Sequence, residues 1–477
     1  MKTDPNIRNN PSEEKASLSL IQTLCVAGTA SLAIFMVNLD ATVVNIVLPE
    51  ISSLFGIRTS EASIFVLSYL LALTGTALIF GRLSDMKGPE KIFFLGYGTF
   101  VLGSLLCAFS WNVWSLALFR FVQGLGGAMI FATNAVIVIR YLPEKIRGRA
   151  FAFNGMMAGI GFALGSPVGG FLSHHFDWRM VFLVNIPVGL AGLFLGMYWL
   201  KKRELPAVRG SFDKAGAITS FLCLCFLVFS LHSWEESLYL STEIIGGLSI
   251  ALVAGFLFVR YQQRSTHPLM PLSLFRNGPL NFALAGTACY YILLQGLAII
   301  FPFYFIDARG MTAFATGNLL FISPMISMLI TPLAGWLCDR IGSRIPAMGG
   351  AVLFIAACIF FLNLTPASST TWLMTCLVLY GLAMGFYCAP ILTLTMSHAR
   401  PETSGVLSSV KSVLPSIFGM ISVGIYATLY STGESAGGIM EQAASQQGFH
   451  TIIWVSLGVS LFCFAVTFLS RDGSPQP

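Results

Sequence analysis

The chain has 477 residues, of which 55% are hydrophobic and 10% charged, with a formal net charge of +6 and a mean hydropathy of +0.78. Ordinary water-soluble domains carry about 25% charged residues, so a soluble globule is excluded. The basic residues lie in short loops between apolar runs and form no stripe, which excludes a nucleic-acid-binding surface.

Residues 1–19 are polar and read as a disordered tail. The apolar run that follows is too long for a signal peptide and has no small-residue cleavage site, so it is expected to remain as a first membrane helix. Runs long enough to span a bilayer fall at about 20–48, 62–83, 91–110, 113–140, 148–173 and 178–200. Two more are expected at about 212–233 and 240–261. The last six fall at about 279–305, 312–338, 344–364, 370–395, 404–429 and 449–469. With the N-terminus inside, the outer loops hold only Arg58, Arg179 and Arg309, while Arg120 and Lys411 fall within spans. The rest of the 27 basic residues gather on the inner side, which predicts that both termini are cytoplasmic.

An internal repeat organises the chain. Gly81-x-x-x-Asp85-x-x-Gly88 returns as Gly335-x-x-x-Asp339-x-x-Gly342, each between two apolar runs. Paired halves in a membrane protein usually rock around a central site, as transporters do. The expected organisation is a cytoplasmic tail (1–19), a six-helix bundle (20–203), a two-helix insertion with its linkers (204–276), a second six-helix bundle (277–470) and a short tail (471–477).

Ionisable residues inside spans mark candidate sites. Asp40 and Arg120 are the candidates for proton coupling, with Asp40 open to a second reading as a structural hydrogen bonder near a break at Asn38 or Asn45. Gln123 lies one turn beyond Arg120. The polar and aromatic residues Asn38, Asn45, Gln123, Asn134, Tyr290, Tyr291, Gln295 and Tyr304, with the basic Lys411, are expected to line a substrate cavity. The repeat residues Gly81, Arg82, Asp85, Gly88, Lys91, Asp339, Arg340 and Gly342 suit a breakable latch. Asp85 can pair with a basic group or cap the next helix. Gly161, Gly165 and Gly169 share one helix face, where another backbone can approach closely, and Pro167 adds a kink. They are expected at the interface of moving halves, with generic helix packing as the other reading. His174-His175 lacks metal-ligand spacing, and no metal site is expected. No phosphate-binding Gly-Lys pair occurs, so no nucleotide is expected.

In this order and on these helices, the motifs resemble the major facilitator superfamily, most closely its fourteen-helix drug:proton antiporter branch. They are Leu39-Asp40-Ala41-Thr42-Val43-Val44-Asn45-Ile46-Val47-Leu48-Pro49, Gly81–Lys91, Arg120–Gly127 and Gly155–Gly170, supported by Asp177-Trp178-Arg179 and Asn185-Ile186-Pro187. Three departures are visible: Pro89-Glu90 stand where the family usually has a basic pair, Pro167 is displaced by one residue, and Ile64 stands where the branch often has a Trp early in helix 2. The resemblance implies an all-α integral membrane protein with two six-helix bundles and two extra transmembrane helices. It implies a proton-coupled exporter of amphiphilic or lipophilic small molecules, of the multidrug efflux type, working by alternating access. The alternative is an exporter of a specific endogenous metabolite, lipid-like amphiphile or siderophore. The implied partners are a small-molecule substrate, protons and the lipid bilayer of a prokaryotic cytoplasmic membrane. The expected state is a monomer that is not an enzyme and uses no cofactor, only the proton gradient.

Overall fold

The computed structural model describes residues 20–200, 214–236, 242–264, 277–398, 404–431 and 439–470. Both tails and most of the two linkers lie outside the described residues. The described residues are helical, without strands. This is what an apolar surround demands, because each helix satisfies its own backbone groups.

The first half comprises α1 (Leu20–Val43), a 3₁₀ turn (Asn45–Val47), α2 (Leu48–Phe55), α3 (Thr59–Lys87), α4 (Pro89–Ala108), α5 (Val113–Tyr141), α6 (Glu144–His175), α7 (Met180–Leu183) and α8 (Asn185–Trp199). The hairpin α9 (Lys214–Glu236) and α10 (Thr242–Arg264) follows. The second half comprises α11 (Gly278–Phe303), a π turn (Tyr304–Ala308), α12 (Ala313–Leu320), α13 (Ile322–Ile341), α14 (Arg344–Leu362), α15 (Thr370–Met396), α16 (Ser404–Ser431) and α17 (Ile439–Leu469). Thirteen segments among the described residues are long and apolar enough to cross a membrane. The further span expected at about 212–233 corresponds to α9, whose shorter apolar stretch is Ala215–Ser230. The first span runs on through the 3₁₀ turn as far as Phe55.

Local chemistry sets the ends of these helices. The Asn112 side chain accepts from Ser115 N–H at 2.7 Å to start α5, and Thr312 and Ser369 cap α12 and α15 in the same way. Gly88 and Gly342 end α3 and α13 at φ 93° and 82°, a backbone region that L side chains rarely adopt. The repeated glycine therefore performs the same stereochemical task in both halves.

Packing repeats as well. In the first half α1 packs on α6 and α8, α5 packs on α3 and α4, and α4 packs on α8. The same plan joins α11 to α16 and α17, α15 to α13 and α14, and α14 to α17. The halves meet where α6 lies against α12 and α3 against α16. The hairpin α9–α10 rests on this seam through α9, which touches both α3 and α16. There a Cβ built on Gly75 would lie 2.6 Å from the Phe221 ring.

Successive membrane spans run antiparallel, so the start of α1, Gly88 and Gly342 share one face, termed here the tail face. At the opposite face the halves are in close contact. A Cβ on Gly170 would collide with Ala313 O and one on Gly317 with Ser166 O, while the His174 ring stacks on Phe314. Toward the tail face, added Cβ atoms on Gly155, Gly159 and Gly335 would meet nothing within 4 Å. Along α6 and α13 the seam is closed at one end and parted at the other.

Candidate functional site: a buried charge knot beside a neutral seam cavity

Asp40 and Arg120 form an ion pair of 2.7 Å, with side chains 0% and 1% exposed. Asp40 also accepts from Gln123 Nε2 and Asn185 Nδ2, both at 2.8 Å. Arg120 donates to Gln123 Oε1 at 2.6 Å and to Phe65 O at 3.2 Å, and its guanidinium sits 4.3 Å from the Tyr69 ring centroid. Gln123 also donates to Ser104 Oγ at 2.8 Å. Five helices thus meet in one network around this carboxylate: α5 and α8 bond to Asp40 of α1 directly, and α3 and α4 bond to its partners Arg120 and Gln123. Asn185 was missed as a site residue by sequence reasoning, although it belongs to a noted motif. A polar residue at the start of an apolar helix was the available signal.

A separate cavity of about 50 Å³ lies at the seam. The first half contributes Thr42, Asn45, Phe162 and Ser166, and the second half contributes residues including Phe301 and Tyr380. None of the described residues lining it is charged. Thr42 follows Asp40 by two positions, so it points to a different side of α1. Asp40 faces the interior of its own half while Thr42 faces the seam.

Of the residues expected to line a cavity, Asn45 does so. Among the described side chains the others are placed elsewhere, packed or hydrogen-bonded within one half. Gln123 belongs to the charge knot. Asn134 donates to Ala30 O at 2.6 Å and accepts from Asn154 Nδ2 at 2.7 Å, tying α5 to α1 and α6. Asn38 donates to Ile34 O one turn back. Tyr290 is buried against Tyr291, Phe354 and Tyr387, and Gln295 packs on Gly419. Tyr304 is fully buried, donates to Gln446 Oε1 at 2.6 Å and stacks on Phe449 at 3.9 Å. Position 411 belongs to α16, but the Lys411 side chain lies outside the described residues. Thr42, Ser166, Ser323 and Tyr380 line the cavity without having been expected there.

The gate residues divide similarly. A Cβ on Gly161 would lie 2.5 Å from Phe35 O, and those on Gly165 and Gly169 would strike Leu39 O and Val43 O. This stripe fastens α6 to α1 within one half, a correction to its expected place between the halves. The seam lies on the next face of α6, at Ser166 and Gly170, and α6 continues through Pro167. Asp85 sits 3.6 Å from Arg82 of its own helix and α4 has no side-chain cap, so pairing is the observed option. Gly81 is open to space, and Lys91, Asp339 and Arg340 are exposed, with Arg340 4.2 Å from the Trp336 ring. Glu90, in the usual place of a basic residue, is buried. It pairs with Arg140 at 2.9 Å and accepts from Tyr141 Oη at 2.8 Å.

A sequence profile described as Major Facilitator Superfamily matches residues 30–423. The chain belongs to that superfamily. It is 29% identical over 405 residues to the riboflavin transporter RibZ of Clostridioides difficile (strain 630), covering 84% of this chain and 86% of that protein. It is 28% identical over 406 residues to the multidrug resistance protein Stp of Mycobacterium tuberculosis, covering 85% and 75%. Among solved structures, a bacterial homologue of the human lysosomal transporter Spinster, inward-facing and unoccupied, shares the fold. The TM-score is 0.68 at 18% identity, over 96% of this chain and all of that one. The chain is therefore a multi-pass membrane transporter of the superfamily's fold.

Proposed function

We propose that this protein is a proton-coupled secondary exporter of amphiphilic small molecules in the cytoplasmic membrane, with its tail face toward the cytoplasm. The fully buried Asp40–Arg120 pair carries this reading. Membrane-embedded charge is costly and tends to mark ion pathways. Asp40 is the acceptor of three donors, two on Oδ1 and one on Oδ2, so a proton arriving on the carboxylate removes the charge that holds Arg120 and weakens all three bonds. Asn185 Oδ1 is buried without a partner among the described residues, and a turn of that amide would give the new O–H an acceptor. Protonation then alters how α1 is held to α5 and α8, and α1 also borders the seam. A unit charge crossing the membrane is worth roughly 2.3 kcal/mol per 100 mV, enough for a useful solute gradient.

Similarity to Stp supports the multidrug reading. A second reading, export of one particular metabolite, is favoured by the uncharged cavity lining and the similarity to RibZ. The test is the purified chain in liposomes with an imposed pH gradient and an internal pH dye, given tetraphenylphosphonium or riboflavin. Proton movement with tetraphenylphosphonium that disappears in Asp40→Asn supports multidrug antiport, and movement with riboflavin alone supports the metabolite reading. Solute flux without proton movement would overturn coupling.

A further inference from the structure

The seam cavity has an unusual hydrogen-bond balance. Thr42 Oγ1 donates to Phe162 O at 3.1 Å, Ser323 Oγ to Leu377 O at 2.7 Å and Tyr380 Oη to Leu293 O at 3.1 Å. Each of these hydroxyls has committed its only proton to a backbone carbonyl and can offer the cavity only lone pairs. Asn45 is 8% exposed, lines the same cavity, and its side-chain oxygen has no hydrogen-bond partner among the described residues. A buried acceptor left unpaired costs about 1–3 kcal/mol, which a native protein retains where something else completes the bond.

The fold explains why this buried oxygen lacks a helical partner beside the cavity. Asn45 begins the 3₁₀ turn that separates α1 from α2, so its side chain has left the regular α-helical surface. The cavity lies near the closed end of the seam. The α6–α12 contact at Ser166 and Gly317 borders it, and it would open when the two halves part there. Its volume of about 50 Å³ admits a polar head group, while Phe162 and Phe301 provide apolar wall for the adjoining part of a ligand.

We infer that Asn45 is a substrate-selecting residue whose side-chain oxygen accepts a hydrogen bond from an uncharged, donor-bearing head group of an amphiphile. The inference rests on the transport reading above and narrows its substrate class. With no carboxylate among the described residues of its lining, the cavity favours an amide or hydroxyl donor over a permanent cation that has no N–H or O–H. Asp40 lies on the far side of α1 and takes no part in recognition.

The test compares two neutral fluorescent probes on the full-length protein: dansyl octylamide, with its sulfonamide N–H, and the N-methyl analogue that lacks it. Wild type should bind the N–H probe about tenfold more tightly, the scale expected when a buried acceptor is left unpaired. Asn45→Leu should remove that preference while holding the N-methyl probe within about twofold, which also reports an intact fold. Asn45→Asp keeps an acceptor oxygen and should keep a preference for the N–H probe. Equal wild-type affinities would mean that the oxygen holds only water and would overturn the inference. An equal loss of both probes in Asn45→Leu would assign the residue to the helix break and overturn it too. If neither probe binds while tetraphenylphosphonium still exchanges for protons, the head-group inference falls and transport stands. If no solute crosses either, both fall.

Discussion

The two halves share a packing plan but differ in what they bury. Among the described residues, the first half buries Asp40, Glu90 and Arg120, and the buried polar side chains of the second half are all uncharged. There, hydroxyls hold the helices together: Tyr387 with Thr467 at 2.9 Å, Thr287 with Thr395 at 3.2 Å and Tyr426 with Ser456 at 2.9 Å. The aromatic cluster of Tyr290, Phe354, Tyr380 and Tyr387 fills the space between them. Similar backbone architecture therefore supports one half with buried charge and one whose described buried polar side chains are uncharged. The rearrangement proposed for proton uptake belongs to the first.

The largest expected effect comes from breaking the ion pair. Asp40→Asn should lower stability by about 3–5 kcal/mol by stranding Arg120 in a dry interior, and should abolish pH-driven flux. Thermal unfolding in detergent and liposome transport measure the two effects. Asp40→Asn combined with Arg120→Gln should recover much of the stability but none of the coupling. If coupling returns with stability, the pair is structural and the contrast between the halves loses its functional meaning. Glu90→Ala should cost less, about 1.5–3 kcal/mol, because it leaves Arg140 and Tyr141 near the end of a helix; thermal unfolding checks it. Tyr387→Phe in the uncharged half should cost only about 1 kcal/mol, with the pH dependence of flux unchanged. A shifted pH profile in that variant would show that the second half also senses protons. The smallest effect on stability is expected for Gly159→Leu, under about 1 kcal/mol, since that position faces open space. Its flux should nevertheless fall if the tail-face ends of the halves close during the cycle. Unchanged flux would place Gly159 outside the moving contact.

Much of the architecture was legible because bilayer thickness and the cost of bare backbone polar groups leave few options. The spans, the repeated glycines and the presence of unusual residues at Asp40 and Arg120 could all be read from one dimension. The cavity could not. Tyr290, Tyr304 and Asn134 are polar residues in apolar helices, as Asn45 is, and all four look alike in sequence. What separates them is whether a neighbouring helix supplies a partner, and for Tyr304 that partner is Gln446, 142 residues away. The glycine stripe on α6 announces close approach, but only the fold identifies the helix that approaches.

The sequence by itself determined a membrane protein of repeated halves with charge placed inside its first half, because hydrophobicity and spacing act locally along the chain. Tertiary structure alone decided that Asn185 completes the Asp40 knot, that the glycine stripe binds α1, and that Asn45 Oδ1 finds no hydrogen-bond partner among the described residues beside the seam cavity. Each of these depends on the rotation of one helix against another, which is set by the packing of distant side chains and leaves no period in the sequence.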